Sequence, residues 1–235
     1  MLSNHFLALA ITLGIAFSWL RINDFSASRR WISNKISRKI IHIGTGPIFI
    51  LCWMLFPDTD LSPYLAAVVP LIITIQFALV GMGVIQDPTA VKAMSRSGNR
   101  QEILRGPLYY GLVFVILTIV YWRNTPIGII ALMTLCGGDG LADVVGKRWG
   151  KISLPWSKRK TLLGSLTMFL GSFIFSTIMI WIFITQGYFS TPVNNSILKI
   201  TLIALTTTLV ESLPYNDIDN LTVPATALLI AHLVF

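Results

Sequence analysis

The sequence predicts an all-α, polytopic integral membrane protein with about seven or eight transmembrane helices. Hydrophobic residues make up 54% of the 235-residue chain and charged residues only 12%, a composition too apolar for a water-soluble domain. Long runs almost free of charge recur along the chain, and a hydrocarbon core of about 30 Å needs roughly 20 such residues per helix. Spans of this length use up the whole chain, so we expect one transmembrane domain over 1–235.

Eight apolar runs are the candidate spans. In chain order they cover residues 5–20, 40–56, 64–85, 108–122, 127–141, 162–184, 197–213 and 221–235. The last run is barely long enough to cross a bilayer. The first run is alternatively a signal peptide, since 26–28 resembles a small-residue cleavage site. However, no Lys or Arg precedes that run and basic residues follow it, which favours a retained span.

The positive charges predict the orientation. If the chain crosses at each run, segments 21–39, 86–106, 143–160 and 213–220 share one side of the membrane. Of the 18 Lys and Arg residues, all but Arg123 and Lys199 fall on that side. Because cytoplasmic loops carry the excess of basic residues, this side is predicted to be cytoplasmic, with both termini outside. The net charge of +8 therefore indicates topology and anionic lipid, and we expect no nucleic-acid partner.

A charged segment at 136–165 stands out in this apolar chain. Asp139 and Asp143 are spaced i, i+4, so they share one face of a helix. Two carboxylates this close repel each other unless one is protonated or a cation lies between them. Mg²⁺ commonly binds one or two carboxylates together with substrate phosphates. The pair is therefore predicted to hold a divalent metal, most simply Mg²⁺.

Glycines and cations accompany this pair. The glycines Gly137, Gly138, Gly140, Gly146 and Gly150 lack a Cβ and would let a phosphate chain approach backbone amides. The cations that would neutralise the phosphates are Lys147, Arg148, Lys151, Lys158, Arg159 and Lys160. Thr161 begins the next helix, whose N-terminal amides favour an anion. The segment 136–165 therefore predicts a cytoplasmic site for a metal ion and a polyphosphate.

Other ionisable residues fall at the same predicted membrane face. They are Arg38, His42, Glu211, Asp217 and Asp219. Ionisable side chains at membrane depth are costly, so the acids indicate function. Simpler interpretations exist for the rest: a basic loop often only sets topology, glycines at helix ends often serve packing, and His42 alone would be an interfacial residue.

Several motifs also carry a family resemblance. The charged segment contains Gly138-Asp139-Gly140-Leu141-Ala142-Asp143, Gly146-Lys147-Arg148-x-Gly150 and Leu154-Pro155-Trp156-Ser157-x-x-Lys160-Thr161-x-x-Gly164-Ser165. Elsewhere the chain contains Arg38-Lys39-Ile40-x-His42-x-Gly44-x-Gly46, Ser95-Arg96-Ser97-Gly98, Glu102-x-Leu104-x-Gly106-Pro107-Leu108-Tyr109-Tyr110, Glu211-Ser212-Leu213-Pro214 and Asp219-Asn220. Taken in chain order, these motifs resemble those of the polyprenol kinase family, especially of its phytol kinase branch. The one departure is Leu163, where the wider superfamily, which includes dolichol kinase and phosphatidate cytidylyltransferase, often has Glu.

The resemblance implies a membrane enzyme that phosphorylates phytol or a similar prenol. CTP or a related nucleotide would donate the phosphoryl group, a divalent metal would assist, and CDP would be released. The resemblance adds Arg38, Gly164, Ser165 and Asn220 to the nucleotide-binding candidates. It also implies the thylakoid or plasma membrane of a photosynthetic, cyanobacterial cell, and a role connected with tocopherol biosynthesis.

Together, the residues and the resemblance predict a mechanism. Asp139 and Asp143 hold Mg²⁺ on the triphosphate, while Lys147, Lys158, Arg159 and Lys160 clamp the phosphates. Glu211, Asp217 or Asp219 completes the metal shell or accepts the alcohol proton. Arg38 and His42 join this cluster from the second span. The isoprenoid tail lies between helices at bilayer depth.

Two other functions remain open from the sequence. A lipid cytidylyltransferase would use the same nucleotide but release pyrophosphate where a kinase releases CDP. A non-catalytic transporter of an anionic or lipid solute would need polar residues near the bilayer midplane, with access from both sides. The ionisable residues of this chain instead gather at one face.

Overall fold

The computed structural model describes residues 2–95, 97–190, 192–214 and 218–235. The chain forms two compact units, Met1–Val120 and Tyr121–Phe235. Helices account for most of the described residues, as the composition predicts. The expectation that 1–235 acts as a single domain stays a prediction.

The first unit contains five α-helices within its described residues. They are α1 (His5–Ser28), α2 (Asn34–Cys52), α3 (Ser62–Met82), α4 (Pro88–Met94) and α5 (Gly106–Tyr121), whose last residue belongs to the second unit. Short 3₁₀ turns, Trp53–Leu55 and Arg100–Leu104, follow α2 and precede α5. Helix α1 packs on α2 and α3, and the side chains of Trp53 and Phe114 are among the most deeply buried in this unit.

The second unit carries the charged segment. Its elements are α6 (Pro126–Met133), a π-helical turn (Thr134–Asp139), α7 (Gly140–Trp149), β1 (Ser153–Leu154), β2 (Ser157–Thr161), α8 (Leu162–Thr185), α9 (Val193–Glu211) and α10 (Asp219–Val234). The first three run on without a break as one apolar helix, Pro126–Trp149. A π-turn inserted in an α-helix frequently marks a functional site, and here it ends at Asp139.

The helix Pro126–Trp149 forms the core of the second unit. Its segment from Ile129 to Met133 is fully buried, and so are Leu135 and Cys136. Helices α8 and α10 pack against its first part, and α8, α9 and α10 all pack against its π-turn. Because this stretch is apolar all round, burial on every side is the arrangement that its sequence favours.

Six helices of the described part are long and apolar enough to cross a membrane. They are α1, α2 with its 3₁₀ turn, α3, α5 with the turn before it, the helix Pro126–Trp149, and α8. Helix α10 is apolar but shorter, and α9, which is the seventh predicted run, is not among the six. The all-α membrane class is confirmed, whereas the count of seven or eight spans stays a prediction.

The basic loop after α7 folds into a short β-hairpin, an element that the sequence did not predict. Strands β1 and β2 are antiparallel, with Ser153 opposite Thr161 and Leu154 opposite Ser157. Leu154 and Ser157 are buried beside the turn, while Lys158 and Arg159 are exposed. The hairpin therefore has an inner side that packs on the protein and an outer side that carries cations.

Close contact between α8 and the π-turn explains why residues 138 and 171 are glycines. A Cβ added to Gly171 of α8 would overlap the carbonyl oxygen of Gly137 and come within 3.0 Å of its carbonyl carbon. A Cβ on Gly138 would come within 2.8 Å of the Met168 sulfur. Small residues let membrane helices approach this closely, so the position of the π-turn depends on the absence of these side chains.

We predict that Gly171→Ala destabilises the protein by about 1–3 kcal/mol, because the new methyl group meets backbone atoms that have no room to move. Gly14→Ala is the matched control, since a Cβ on Gly14 of α1 has no atom within 4 Å. Thermal unfolding in detergent micelles measures both. Equal melting temperatures for the two variants would contradict the proposed backbone contact.

Candidate active site

Three carboxylates from distant parts of the sequence meet at one end of the second unit. One carboxylate oxygen from each of Asp139, Glu211 and Asp219 lies within 4.8 Å of the other two. Glu211 is 5% exposed, and the two aspartates are half-buried. Like charges this close repel strongly, so the cluster needs either a positive partner or one protonated acid.

Two of the acids lie at helix ends and the third lies within a helix. Glu211 is the last residue of α9, Asp219 is the first residue of α10, and Asp139 is the last residue of the π-turn inside the helix Pro126–Trp149. A helix N-terminus favours an anion and a C-terminus disfavours it. Asp219 is therefore stabilised by its own helix, whereas Glu211 is not and depends on an external cation.

Lys160 of β2 is a cation that meets this need. Its ammonium donates hydrogen bonds to Glu211 Oε1 and, over 3.0 Å, to Asp219 Oδ2. Burial alone would lower the pKa of Lys160, but the charges of Glu211 and Asp219 outweigh it and raise the pKa to about 12. Lys160 therefore stays charged at physiological pH and joins the hairpin to the ends of α9 and α10.

The donor set fits a hard divalent cation. Three carboxylates and one ammonium leave a net charge of about −2 when all are ionised. Mg²⁺ prefers carboxylate oxygen ligands and keeps some positions for water and phosphate. Asp139, Glu211 and Asp219 are therefore the described residues best placed to hold such an ion.

The other predicted metal ligands have different outcomes. The carboxylate of Asp143 pairs with the Lys147 ammonium over 2.5 Å, within one turn of α7. Among the described residues, Asp143 is not a member of the three-acid group. Asp217 lies outside the described residues. Metal binding by either one stays a prediction.

Thr161 lies against two of the glycines that were predicted to approach phosphates, Gly146 and Gly150. Its hydroxyl caps α8 by accepting a 3.1 Å hydrogen bond from the Gly164 amide. A Cβ on Gly146 would come within 3.1 Å of that hydroxyl oxygen, and one on Gly150 within 2.7 Å of the Thr161 Cβ. Close packing of α7 against α8 thus accounts for these glycines, as the simpler interpretation expected, and their contact with a nucleotide stays a prediction.

The start of α8 offers fewer free amides than the sequence suggests. The Leu162 amide donates to the carbonyl of Ile152 over 2.9 Å, and the Gly164 amide is bound to Thr161. Ser165 is different, because its hydroxyl oxygen is buried and has no hydrogen-bond partner in the described structure. Ser165 therefore remains a good candidate for contact with a ligand.

Trp156 attaches the hairpin to the end of α9, a contact that sequence reasoning missed. Its indole N–H donates to the Ser212 carbonyl oxygen over 3.1 Å and lies 3.2 Å from the Ser212 hydroxyl. Both residues belong to the family motifs, but motif matching alone assigned them no role. The contact places Lys160, on the same hairpin, beside Glu211, the residue before Ser212.

The candidate site residues from the N-terminal part of the chain, Arg38 and His42, lie in the first unit. An Arg38 guanidinium N–H donates to the Ser95 carbonyl oxygen over 3.4 Å. The Tyr110 hydroxyl donates to the His42 carbonyl oxygen over 2.7 Å, and the rings of His42 and Tyr110 are 4.5 Å apart. The Ser97 hydroxyl donates to Glu102 over 2.6 Å. Several early motifs are thus linked within this unit, while the catalytic role of His42 stays a prediction.

Curated relatives match almost the whole chain. It is 39% identical over 229 residues to "Probable phytol kinase, chloroplastic" of Triticum aestivum, covering 97% of this chain and 76% of the relative. It is 40% identical to "Probable phytol kinase 1, chloroplastic" of Oryza sativa subsp. japonica, covering 97% and 73%. "Phytol kinase 1, chloroplastic" of Arabidopsis thaliana is 33% identical, with 97% and 76% covered. No protein-family model matches the chain, and no solved structure does.

We predict that Trp156→Phe loosens the hairpin, because the phenyl ring has no donor for Ser212. Losing a hydrogen bond of about 0.5–1.5 kcal/mol raises the detached fraction about two- to tenfold. Limited trypsin digestion at the exposed Lys158 and Arg159 measures this fraction. Trp149→Phe is the matched control, since the exposed Trp149 contacts Arg148 of its own helix; equal cleavage of the two variants would contradict the attachment.

Proposed function

This chain belongs to the phytol kinase family, and we propose that it transfers the γ-phosphoryl group of CTP to phytol or a similar isoprenoid alcohol. As a family member it is a phosphotransferase with an alcohol acceptor. The products under this proposal are the prenyl monophosphate and CDP. The observation that carries the proposal is the meeting of three carboxylates with Lys160 at one end of the second unit.

The three carboxylates would hold Mg²⁺ against the donor phosphates. Asp139, Glu211 and Asp219 supply hard oxygen ligands, and Asp143 is a further candidate one helical turn from Asp139. A bound Mg²⁺ would neutralise charge on the phosphoryl oxygens. This donor set supports the metal requirement that is usual for kinases.

The cations near the acids would bind the triphosphate. Lys158 and Arg159 lie exposed on the strand that carries Lys160, and Lys147 is exposed on α7 with Asp143 as its partner. Phosphoryl transfer depends mainly on positioning and charge neutralisation, and these exposed cations would contribute the charge neutralisation. The buried Ser165 hydroxyl would donate one hydrogen bond to a phosphate oxygen.

One acid of the cluster would accept the proton of the alcohol. The side chain of Asp219 is 23% exposed and that of Glu211 only 6%. A substrate hydroxyl therefore has better access to Asp219, and Glu211 is better suited to hold the metal and Lys160 in place. His42 is a further candidate for this role from the first unit.

The membrane setting of this reaction is also part of the proposal. The six long apolar helices support a multi-pass membrane protein, and the distribution of Lys and Arg favours a cytoplasmic location for the acids. The isoprenoid tail would stay at bilayer depth, because each methylene moved into water costs about 0.8 kcal/mol. The thylakoid or plasma membrane of a photosynthetic cell fits the chloroplastic relatives.

We predict that the purified protein forms a prenyl monophosphate and CDP when it is given phytol and CTP with Mg²⁺. A panel of phytol, geranylgeraniol and farnesol with four nucleotides identifies the preferred pair. Pyrophosphate formed from CTP and a prenyl or lipid phosphate would instead indicate a cytidylyltransferase. Solute uptake by liposomes without nucleotide turnover would indicate a transporter.

We predict that Asp139→Asn lowers kinase activity on the order of a hundredfold or more, because it removes a charged ligand from the three-acid group. Mn²⁺ binding, followed by electron paramagnetic resonance, should weaken in parallel. Asp60→Asn, at an exposed position outside any helix, is the matched control and should behave as wild type. An Asp139→Asn protein with normal metal affinity would exclude Asp139 as a ligand.

The variant Asp143→Asn distinguishes the predicted metal pair of Asp139 and Asp143 from the three-acid group. If Asp143 shares the metal with Asp139, the substitution should weaken Mn²⁺ binding about as much as Asp139→Asn does. Wild-type activity and metal affinity in this variant would overturn the predicted i, i+4 metal pair. The three-acid group would then hold the metal without Asp143.

A further inference from the structure

Helix α8 carries a continuous stripe of exposed apolar side chains. The members of this stripe are Leu162, Leu166, Leu170, Ile174, Ile178 and Trp181. Side chains three or four residues apart are neighbours on a helix surface, so each member adjoins the next. From the first member to the last the helix rises about 28 Å, close to the thickness of a hydrocarbon core of about 30 Å. In a membrane protein, such a stripe is suited to face lipid from one bilayer surface to the other.

The hairpin base, residues 148–152, extends this stripe beyond the start of α8. The Leu162 amide donates to the Ile152 carbonyl oxygen over 2.9 Å, in register with the neighbouring pair of Ser153 and Thr161. Ile152 is 67% exposed and Leu162 is 56% exposed. Because Leu162 is the end of the apolar stripe, Ile152 lies where a bilayer would meet water.

Trp149 brings a second exposed apolar group to the same level. It ends the helix Pro126–Trp149, which is also long and apolar enough to cross a membrane. A Cβ on Gly146 would come within 3.2 Å of the Gly164 Cα atom, so the end of this helix lies beside the start of α8. Tryptophan is enriched at the ends of transmembrane helices, because its ring is apolar and its N–H is polar. Trp149 and Leu162 therefore mark one bilayer surface.

Cations accompany these apolar groups without any acid. The segment 144–165 contains six Lys and Arg residues and no Asp or Glu. Arg148 precedes Trp149, Lys151 precedes Ile152, and both cations are exposed. A negatively charged lipid surface attracts such residues, each of which strengthens the association about fivefold. The alternation of cations with apolar side chains thus matches the charged headgroups and the hydrocarbon of an anionic bilayer.

We propose that the hairpin base binds the surface of an anionic bilayer. Trp149 and Ile152 lie at the depth of the headgroups and continue the lipid-facing stripe of α8. Arg148 and Lys151 bind the phosphates of the negatively charged lipids. A bilayer fits this surface better than a soluble anion does, because a soluble anion would leave the two apolar side chains in water. The contact requires neither a nucleotide nor a prenol, so it stands or fails independently of the kinase activity.

This contact gives the hairpin a second support. Trp156 attaches the turn of the hairpin to Ser212, and the bilayer would hold its base. Lys160 lies on the strand between these two attachments. The cations of the loop then have different partners, with Arg148 and Lys151 assigned to lipid.

The depth of Ile152 in a bilayer tests the apolar half of this contact. A nitroxide on Ile152→Cys in lipid nanodiscs should collide preferentially with lipid-soluble oxygen, and one on Asp60→Cys, at an exposed turn, with a water-soluble nickel chelate. Cys52 and Cys136 are buried, so the unsubstituted protein gives the background labelling. An Ile152 label that is as accessible to the chelate as the Asp60 label would overturn the proposal.

Photolabelling of the wild-type protein tests the charge of the lipid. Phosphatidylglycerol with a diazirine near its headgroup, in phosphatidylcholine nanodiscs, should label the hairpin base, and excess unlabelled phosphatidylglycerol should suppress this labelling. Suppression by added phosphatidylcholine to the same extent would show contact without charge selection and would overturn the proposal. Suppression by inorganic phosphate would assign the cations to a soluble anion and would overturn it as well.

The double variant Arg148→Gln, Lys151→Gln tests the two cations directly. Each lost charge should lower the labelling of the hairpin base by phosphatidylglycerol, relative to phosphatidylcholine, about fivefold. The matched control is Arg29→Gln, Arg30→Gln, which removes two exposed cations of the first unit and should leave this labelling at the wild-type level. Equal labelling of the hairpin base in the two double variants would exclude a specific role for Arg148 and Lys151.

Discussion

The ion pairs of Lys160 with Glu211 and Asp219 are the interaction on which the second unit depends. Two half-buried carboxylates and one buried carboxylate meet there, and the Lys160 ammonium offsets their mutual repulsion, which would otherwise favour protonation of one of them. Glu211 needs this partner most, because it lies at the C-terminal end of its helix. The hairpin that carries Lys160 is therefore a structural part of the acidic site as well as a source of cations.

Several close contacts hold the parts of this site in place. Gly137 and Gly171 allow the π-turn to approach α8 at backbone distance, which positions Asp139. Thr161 caps α8 in the space between Gly146 and Gly164, and Trp156 ties the hairpin to Ser212. These contacts position charged groups through apolar packing and short hydrogen bonds, a rigid support of the kind that phosphoryl transfer needs.

A prenol kinase handles a substrate with two very different ends, and the second unit offers what the phosphate end requires. It gathers acids and Lys160 around the end of α9 and the start of α10, where charge is tolerated. Phosphates require a polar, metal-binding site, whereas an isoprenoid tail loses stability when it leaves apolar surroundings. The six long apolar helices of the described part are suited to provide such surroundings.

The sequence by itself determined the membrane class and the approximate helices, because these follow from local composition. From the placement of Lys and Arg it also predicted a cytoplasmic face for the acids. It also predicted Asp139, Lys160, Glu211 and Asp219 as site residues. Only the tertiary structure decided that Asp139 meets Glu211 and Asp219, which are more than 70 residues away, and that Asp143 pairs with Lys147. The metal pair that the i, i+4 spacing of Asp139 and Asp143 indicates stays a prediction. It also decided that Gly146 and Gly150 pack around Thr161 and that a hairpin anchored by Trp156 carries Lys160. The reason is that these outcomes depend on how helices pack and on which backbones touch, and such contacts join residues that have no local signal in common.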